Sequence, residues 1–323
     1  MQTRNISRAR ALDMAHTLRR TSALYHSWGP VSLTQTTTYA TAATSPYVTH
    51  ATETLSILRS STGVGTHEVY LVGTAHVSAE SAREVRELMR LVKPTSVMLE
   101  LCNERLRSMR EKLAKKRAQK DSGDSGQSSN PRGEFVMQAV KDFAGAFGGG
   151  GDARDGLLGA AMKTMYGFFK LTGLEPGGEF IVAIEEADRL GADIVCGDRN
   201  VRDTLRRVRE KLTFTDIVNI ATGHEKPGGP PPPPGMDGEF DDVEKVVESL
   251  KTRAAIAQMR EFMRYQLPDV ARVFVDERDT IMTDAIVNRC RGERVVAVVG
   301  MAHMDGIEHY WNLAQKRKLL GQS

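Results

Sequence analysis

Two stretches far apart in the chain share one form. EVYLVGTAHVS runs from Glu68 to Ser78, and VVAVVGMAHMDGI runs from Val295 to Ile307. Each is an apolar, β-branched run ending in Gly-x-Ala-His, at His76 and His303. An unbroken apolar strand, with no polar residue at alternate positions, belongs to a sheet covered on both faces. That pattern points to a parallel sheet flanked by helices.

The segments between these runs fit that reading. A helix is expected from about Ala79 to Val92, with Ala82, Val85, Leu88 or Met89, and Val92 on its buried stripe, capped by Ser78 and stopped by Pro94. A second strand follows from Ser96 to Leu101, so the chain opens with a βαβ unit. Basic residues dominate a helical stretch from Asn103 to Lys120. Further helices are expected over Glu134–Phe147, Leu158–Leu171, Glu179–Leu190, Val201–Leu212, Asp241–Gln266 and from Pro268 to about Arg289. ADIVCGDR supplies a third strand and Val295–Val299 a fourth, followed by His303 and a short C-terminal helix. The fold class is α/β: a mainly parallel sheet with flanking helices and a long helical insertion between the second and third strands.

Composition narrows the function classes. With 40% hydrophobic and 26% charged residues the chain is globular. A net charge of +3 argues against a nucleic-acid binder. No apolar run reaches the ~18 residues of a membrane-spanning helix; the nearest, Gly156 to Leu171, contains Lys163 and Lys170. The three cysteines, Cys102, Cys196 and Cys290, are too few for a disulfide framework and fit a reducing compartment. Residues 1–64 are rich in Arg, Ser and Thr and poor in acids, as a transit peptide is, and equally as an addressless disordered leader. Localisation is then mitochondrial or otherwise organellar if the leader is a transit peptide, and cytoplasmic if it is not. Residues 65–323 form one domain, with flexible loops at 121–133, 148–156 and 223–240, the last carrying a stiff proline run.

Each apolar strand delivers a polar group at its carboxyl end: His76, then Glu100, then Asp198 with Arg199, then His303. Ligand sites of open α/β sheets lie at that edge. Two imidazoles and a carboxylate there suit Zn²⁺, Mn²⁺ or Fe²⁺. Gly73 and Gly300 are expected to let the chain turn sharply and approach a ligand. Plainer roles stay open. Either histidine can be a helix cap, Glu100 can pair with Arg105 or Arg278, and Asp198 with Arg199 can cap the next helix. Glu179, in a GGEF that precedes a helix rather than forming a cyclase hairpin, falls in a first helical turn, where acids are favoured.

Six segments in order, VYLVGTAHVSAES, VMLELCNER, PGGEF, CGDR, DERD and VVAVVGMAHMDGIEHYW, together resemble the TraB family. The likeness runs from about Glu68 to Trp311. It implies kinship with Tiki metalloproteases, erythromycin esterases and ChaN-like proteins, and hence an α/β fold. By that likeness two G-x-x-H motifs and a glutamate serve metal-dependent peptide hydrolysis. They fall here on Gly73 with His76, Gly300 with His303, and Glu100. Arg278, beside Glu277 in DERD, matches an arginine recurring in the wider group. Two functions are compatible with these residues. In one, His76, Glu100 and His303 hold a divalent metal (Mn, Co or Zn) for hydrolysis of a peptide or protein, Glu100 alternatively serving as base, with Arg278 or Arg199 stabilising an oxyanion. In the other, the chain is a non-catalytic organellar adaptor, with peripheral membrane contact through its basic stretch. No hydrophobic anchor is expected from the short stretch after Trp311.

Overall fold

The computed structural model describes residues 45–60, 68–74, 79–121, 178–222, 224–231 and 252–320. Expectations for the helices at 134–147 and 158–171, the loops at 121–133 and 148–156, and the segment 75–78 that holds His76 fall wholly or mostly outside these residues.

Six strands form one sheet: β1 (Val48–His50), β2 (Leu55–Arg59), β3 (Glu68–Thr74), β4 (Ser96–Leu99), β5 (Asp193–Cys196) and β6 (Arg294–Gly300). Their spatial order is β1-β2-β3-β6-β4-β5. The last four are parallel, as expected, and β6 inserts between β3 and β4. β1 and β2 are antiparallel additions, so the sheet is mixed. They lie within residues 1–64, whose composition reads as a disordered leader. Leu55, Ile57 and Leu58 are nonetheless buried in the core, so the fold begins before residue 65.

Helices cover both faces, which is why the central strands carry no polar alternation. On one face lie α1 (Ala79–Val92), α2 (Asn103–Asp121) and α3 (Gly178–Leu190). Val85, Leu88, Met89, Met109, Phe180, Ile184 and Ala187 pack there against Val97, Leu99, Val296 and Val298. α4 (Val201–Lys211) and α5 (Phe214–Thr222) follow β5. On the other face lie α6 (Arg253–Gln266), a helix α7 over residues 268–289, and α8 (Met301–Leu319). Ile256, Met259, Met282, Ile286, Met304, Ile307 and Trp311 pack there against Val69, Leu71, Val295 and Ala297.

α6 starts at Arg253, where Thr252 is extended and its hydroxyl accepts the Ala255 N–H; the stretch 241–251, expected to belong to the same helix, lies outside the described residues. The C-terminal helix is long, and it starts directly after β6, placing His303 in its first turn. Within α7, the segments Pro268–Ala271 and Glu277–Asp284 are α-helical, and π turns occupy Arg272–Asp276 and Ala285–Arg289. The Glu277 N–H reaches back five residues to the Arg272 carbonyl. The extra residue in the turn rephases the helix, so that Arg278 and Asp279 both point inward, fully buried.

Candidate functional site

Register decides what meets at the carboxyl edge. Thr74 of β3 lies opposite Gly300 of β6, and Leu99 of β4 lies opposite both Val298 and Cys196. The chain therefore leaves β4, β5 and β6 at one edge, with Glu100, Asp198 and His303 on the residues that follow. Glu100 still donates its N–H to Val298 O at 3.1 Å, and Leu101 N–H then turns back onto Leu99 O at 2.7 Å. That tight turn lifts the Glu100 side chain over the edge instead of into either core.

A fully buried carboxylate must be compensated, and Glu100 is. Its Oε2 accepts the Gly300 N–H at 2.6 Å, at the amino end of α8 where backbone N–H groups and the helix dipole favour an anion. Its Oε1 accepts from the Arg278 guanidinium. Arg278 also donates through Nη2 and Nε to Asp198, at 2.9 and 3.2 Å, and through Nη1 to Phe274 O at 3.2 Å. Burial opposes the charge of Arg278, yet Asp198 and Glu100 hold the guanidinium still more firmly protonated. Burial would raise the Asp198 carboxyl, but the charge and hydrogen bonds of Arg278, with the charge of Arg105, hold it below its ordinary range. Arg105, buried at the start of α2, is pulled down by desolvation against the attraction of Asp198 and Glu100, and lies 3.5 Å from the Glu100 carbonyl. The pairing of Glu100 with Arg278 is one of the plainer readings that the sequence left open.

His303 is fully buried beside this group. Its Nδ1 lies 2.6 Å from Asp279 Oδ1, and its Nε2 lies 3.4 Å from Glu100 Oε1 and has no hydrogen-bond partner among the described residues. Asp279 Oδ2 accepts from Arg260 at 2.9 Å, and Arg260 also donates to the Ala302 carbonyl at 2.5 Å. Neither Asp279 nor Arg260 was singled out from sequence. Asp279 ends the DERD motif. Arg260 falls on the apolar stripe of α6 with Ile256, Met259 and Met263, and a cation on a buried stripe was the available signal.

Other expected residues take supporting places. Arg199 donates to Glu277 at 2.5 Å, to Thr204 at 2.9 Å and to Val273 O, in the first π turn, at 2.6 Å. It thus braces α7 instead of reaching His303. Glu277 lies between Arg207 and Arg199, whose hydrogen bonds bring its carboxyl down to about 2. Glu179 is fully buried in the first turn of α3. Gly73 makes no sharp turn: it lies within β3, where a Cβ would come 2.2 Å from Met304 Sδ, so its smallness admits α8. Gly300 likewise keeps an ordinary extended conformation, φ −66 and ψ 142, and contributes its N–H. Burial pushes the Cys196 and Cys290 thiols up to about 11 and about 12, which leaves them protonated and unreactive.

No group of three or more His, Cys, Asp or Glu poised to hold a metal occurs among the described residues. The described donors fit two ligands of such a site. His303 Nε2 is a buried imidazole nitrogen without a hydrogen-bond partner among the described residues, and the Nδ1 of the same ring rests on a carboxylate, the usual outer support of a metal-binding histidine. Glu100 Oε1, 3.4 Å away, stands at about the separation that two ligands of one tetrahedral ion have.

The chain matches the model of the TraB/PrgY/gumN family over residues 236–319, which takes in α6, α7, β6 and α8. It is 30% identical over 269 residues to the TraB domain-containing proteins of Homo sapiens and Mus musculus, a match covering 76% of this chain. It is 27% identical over 257 residues to an uncharacterised protein of Methanocaldococcus jannaschii, covering 77% of this chain and 54% of that protein. The match spans 62% of the length of the human and mouse relatives.

Proposed function

The chain belongs to the TraB/PrgY/gumN family, and from that premise we propose that it is a metal-dependent hydrolase acting on peptide bonds. The observation that carries the reading is His303: a buried imidazole held by Asp279, its Nε2 without a hydrogen-bond partner among the described residues and 3.4 Å from a carboxylate. His303 and Glu100 would hold the ion, with His76 as the third ligand. A bound divalent ion supplies Lewis-acid polarisation of a peptide carbonyl. Glu100 is aimed by Arg278 and the Gly300 N–H, which donate to its two carboxylate oxygens. The described hydrogen bonds of Arg278 run to Glu100, Asp198 and Phe274, so Arg278 would hold Glu100 in place, beside the oxyanion contact expected from sequence. The low-dielectric surroundings strengthen each of these interactions.

The test strips the purified chain with chelator and returns Mn²⁺, Co²⁺ or Zn²⁺ singly before assay against a peptide library. Cleavage restored by one ion and lost in His303→Gln is the expected result. Cleavage that survives chelation, or a His303→Gln variant as active as the parent, contradicts it.

Burial favours a second reading. Glu100, Arg278 and His303 are each fully buried, and a non-catalytic adaptor would keep such a network solely as a core support. That protein would bind no ion. No helix among the described residues is long and apolar enough to cross a membrane, so an adaptor would reach one by other means.

A further inference from the structure

The imidazole of His303 has two nitrogens, and which one carries the proton decides what the site can do. We propose that Arg260 is a positioning residue that sets the tautomer of His303 by acting through Asp279.

The guanidinium of Arg260 is a rigid fork. One arm donates to the Ala302 carbonyl at 2.5 Å, in the first turn of α8, and the other to Asp279 Oδ2 at 2.9 Å. A single planar group thereby fixes the distance between the residue next to His303 and the carboxylate facing it. With Oδ2 held by Arg260, Oδ1 is the oxygen left to His303 Nδ1, at 2.6 Å. An ionised carboxylate only accepts, so Nδ1 is the donor and carries the proton. In the neutral ring Nε2 then bears the lone pair and is the atom presented to Glu100 Oε1. Arg260, Asp279 and His303 are all buried, so water does not compete for these bonds. Gly306 makes the approach possible, since a Cβ there would lie 1.8 Å from Asp279 Oδ2. Asp276, 3.6 Å from Arg260, is a third contact on the same guanidinium and is itself bonded to Arg264.

This inference rests on His303 as the working imidazole of the site, but not on any bound ion or measured activity. Its sharpest test is the isosteric change Asp279→Asn. Arg260 donates, so it keeps the amide oxygen on its own side and turns the amide N–H₂ toward His303. Nδ1 must then accept, and the proton moves to Nε2. Adding Arg260→Met removes that constraint, and the amide can flip to give its oxygen back to Nδ1.

The readout is the ¹⁵N signals of the imidazole nitrogens in metal-free protein, assigned by their loss in His303→Gln. The parent chain is expected to show protonated Nδ1, Asp279→Asn protonated Nε2, and the double variant a return toward protonated Nδ1. Should Asp279→Asn and the double variant share one tautomer, Arg260 does not set it. If either variant fails to fold, Arg260→Lys decides. Lysine keeps the charge but not the two-armed fork, so Asp279 Oδ1 is no longer held on Nδ1, Glu100 Oε1 competes for the proton from the Nε2 side, and a mixture of tautomers is expected. An unchanged ring spectrum in Arg260→Lys overturns the proposal. Failure of the hydrolase reading would show as absent ion binding with the tautomers still behaving as described.

Discussion

At the scale of single residues, the site is a compensated charge network, and compensation is what made part of it readable. A carboxylate at the end of an apolar strand has to be paired, so Glu100 announced a buried partner, and Arg278 was one of two named. Asp279 reads as an ordinary helical surface charge until the π turn rephases α7, whereas Arg260 did carry a signal, a cation on the apolar stripe of α6, that charge alone outweighed. His76 lies outside the described residues, so its half of the expected pair adds nothing to the geometry. Removing Arg278 leaves Glu100 and Asp198 buried with Arg105 as the remaining nearby counter-charge among the described residues. Arg278→Met is therefore expected to destabilise the chain by about 3–5 kcal/mol in urea denaturation. A loss below about 1 kcal/mol would show that the network contributes little.

At the scale of elements, the parallel strands were legible because an unbroken apolar run of strand length, bounded by turn residues, is buried on both sides almost only in a helix-covered sheet. The length of α8 was not legible. Gly306, in HMDGIEHYW, reads as a helix breaker, yet the helix passes through it because Asp279 occupies the place where a Cβ would stand. The strands β1 and β2 were missed for another reason: composition marked their segment as a leader, and five residues of LSILR were outweighed by the Ser, Thr and Arg around them. Two glycines on facing elements give a paired prediction. Gly306→Ala meets a carboxylate already held by Arg260 and His303, which has no alternative place. Gly73→Ala meets the flexible end of Met304. Thermal unfolding is expected to show the larger loss for Gly306→Ala, with about 1 kcal/mol for Gly73→Ala. Equal losses would mean that Asp279 moves as freely as a methionine.

At the scale of the whole molecule, the domain boundary and the acid limit of stability both follow from the described contacts. Deletion through residue 60 removes two strands whose side chains complete the core, whereas deletion through residue 44 spares them. The first is expected to abolish cooperative unfolding and the second to retain it, by circular dichroism on heating; cooperative unfolding of both would detach β1 and β2 from the fold. Glu277 joins α4 to α7 through Arg207 and Arg199, with its carboxyl lowered from 4.5 to about 2. A lowered folded-state value stabilises the chain above the unfolded value and loses that contribution as pH falls through the folded one. Unfolding free energy is therefore expected to fall between about pH 4.5 and pH 2. Glu277→Gln should make that fall shallower, by an amount on the order of 2 kcal/mol at pH 2 relative to pH 6. An identical pH profile in the variant would place the acid sensitivity elsewhere.

Whether the carboxyl edge of β4 and β6 holds a divalent ion, as proposed, is decided by calorimetric titration of chelator-stripped chain with Mn²⁺, Co²⁺ and Zn²⁺. One ion bound per chain, with affinity lowered at least ~10-fold in Asp279→Asn and abolished in His303→Gln, is the predicted result. No stoichiometric binding of any of the three, or binding that His303→Gln leaves unchanged, would contradict it.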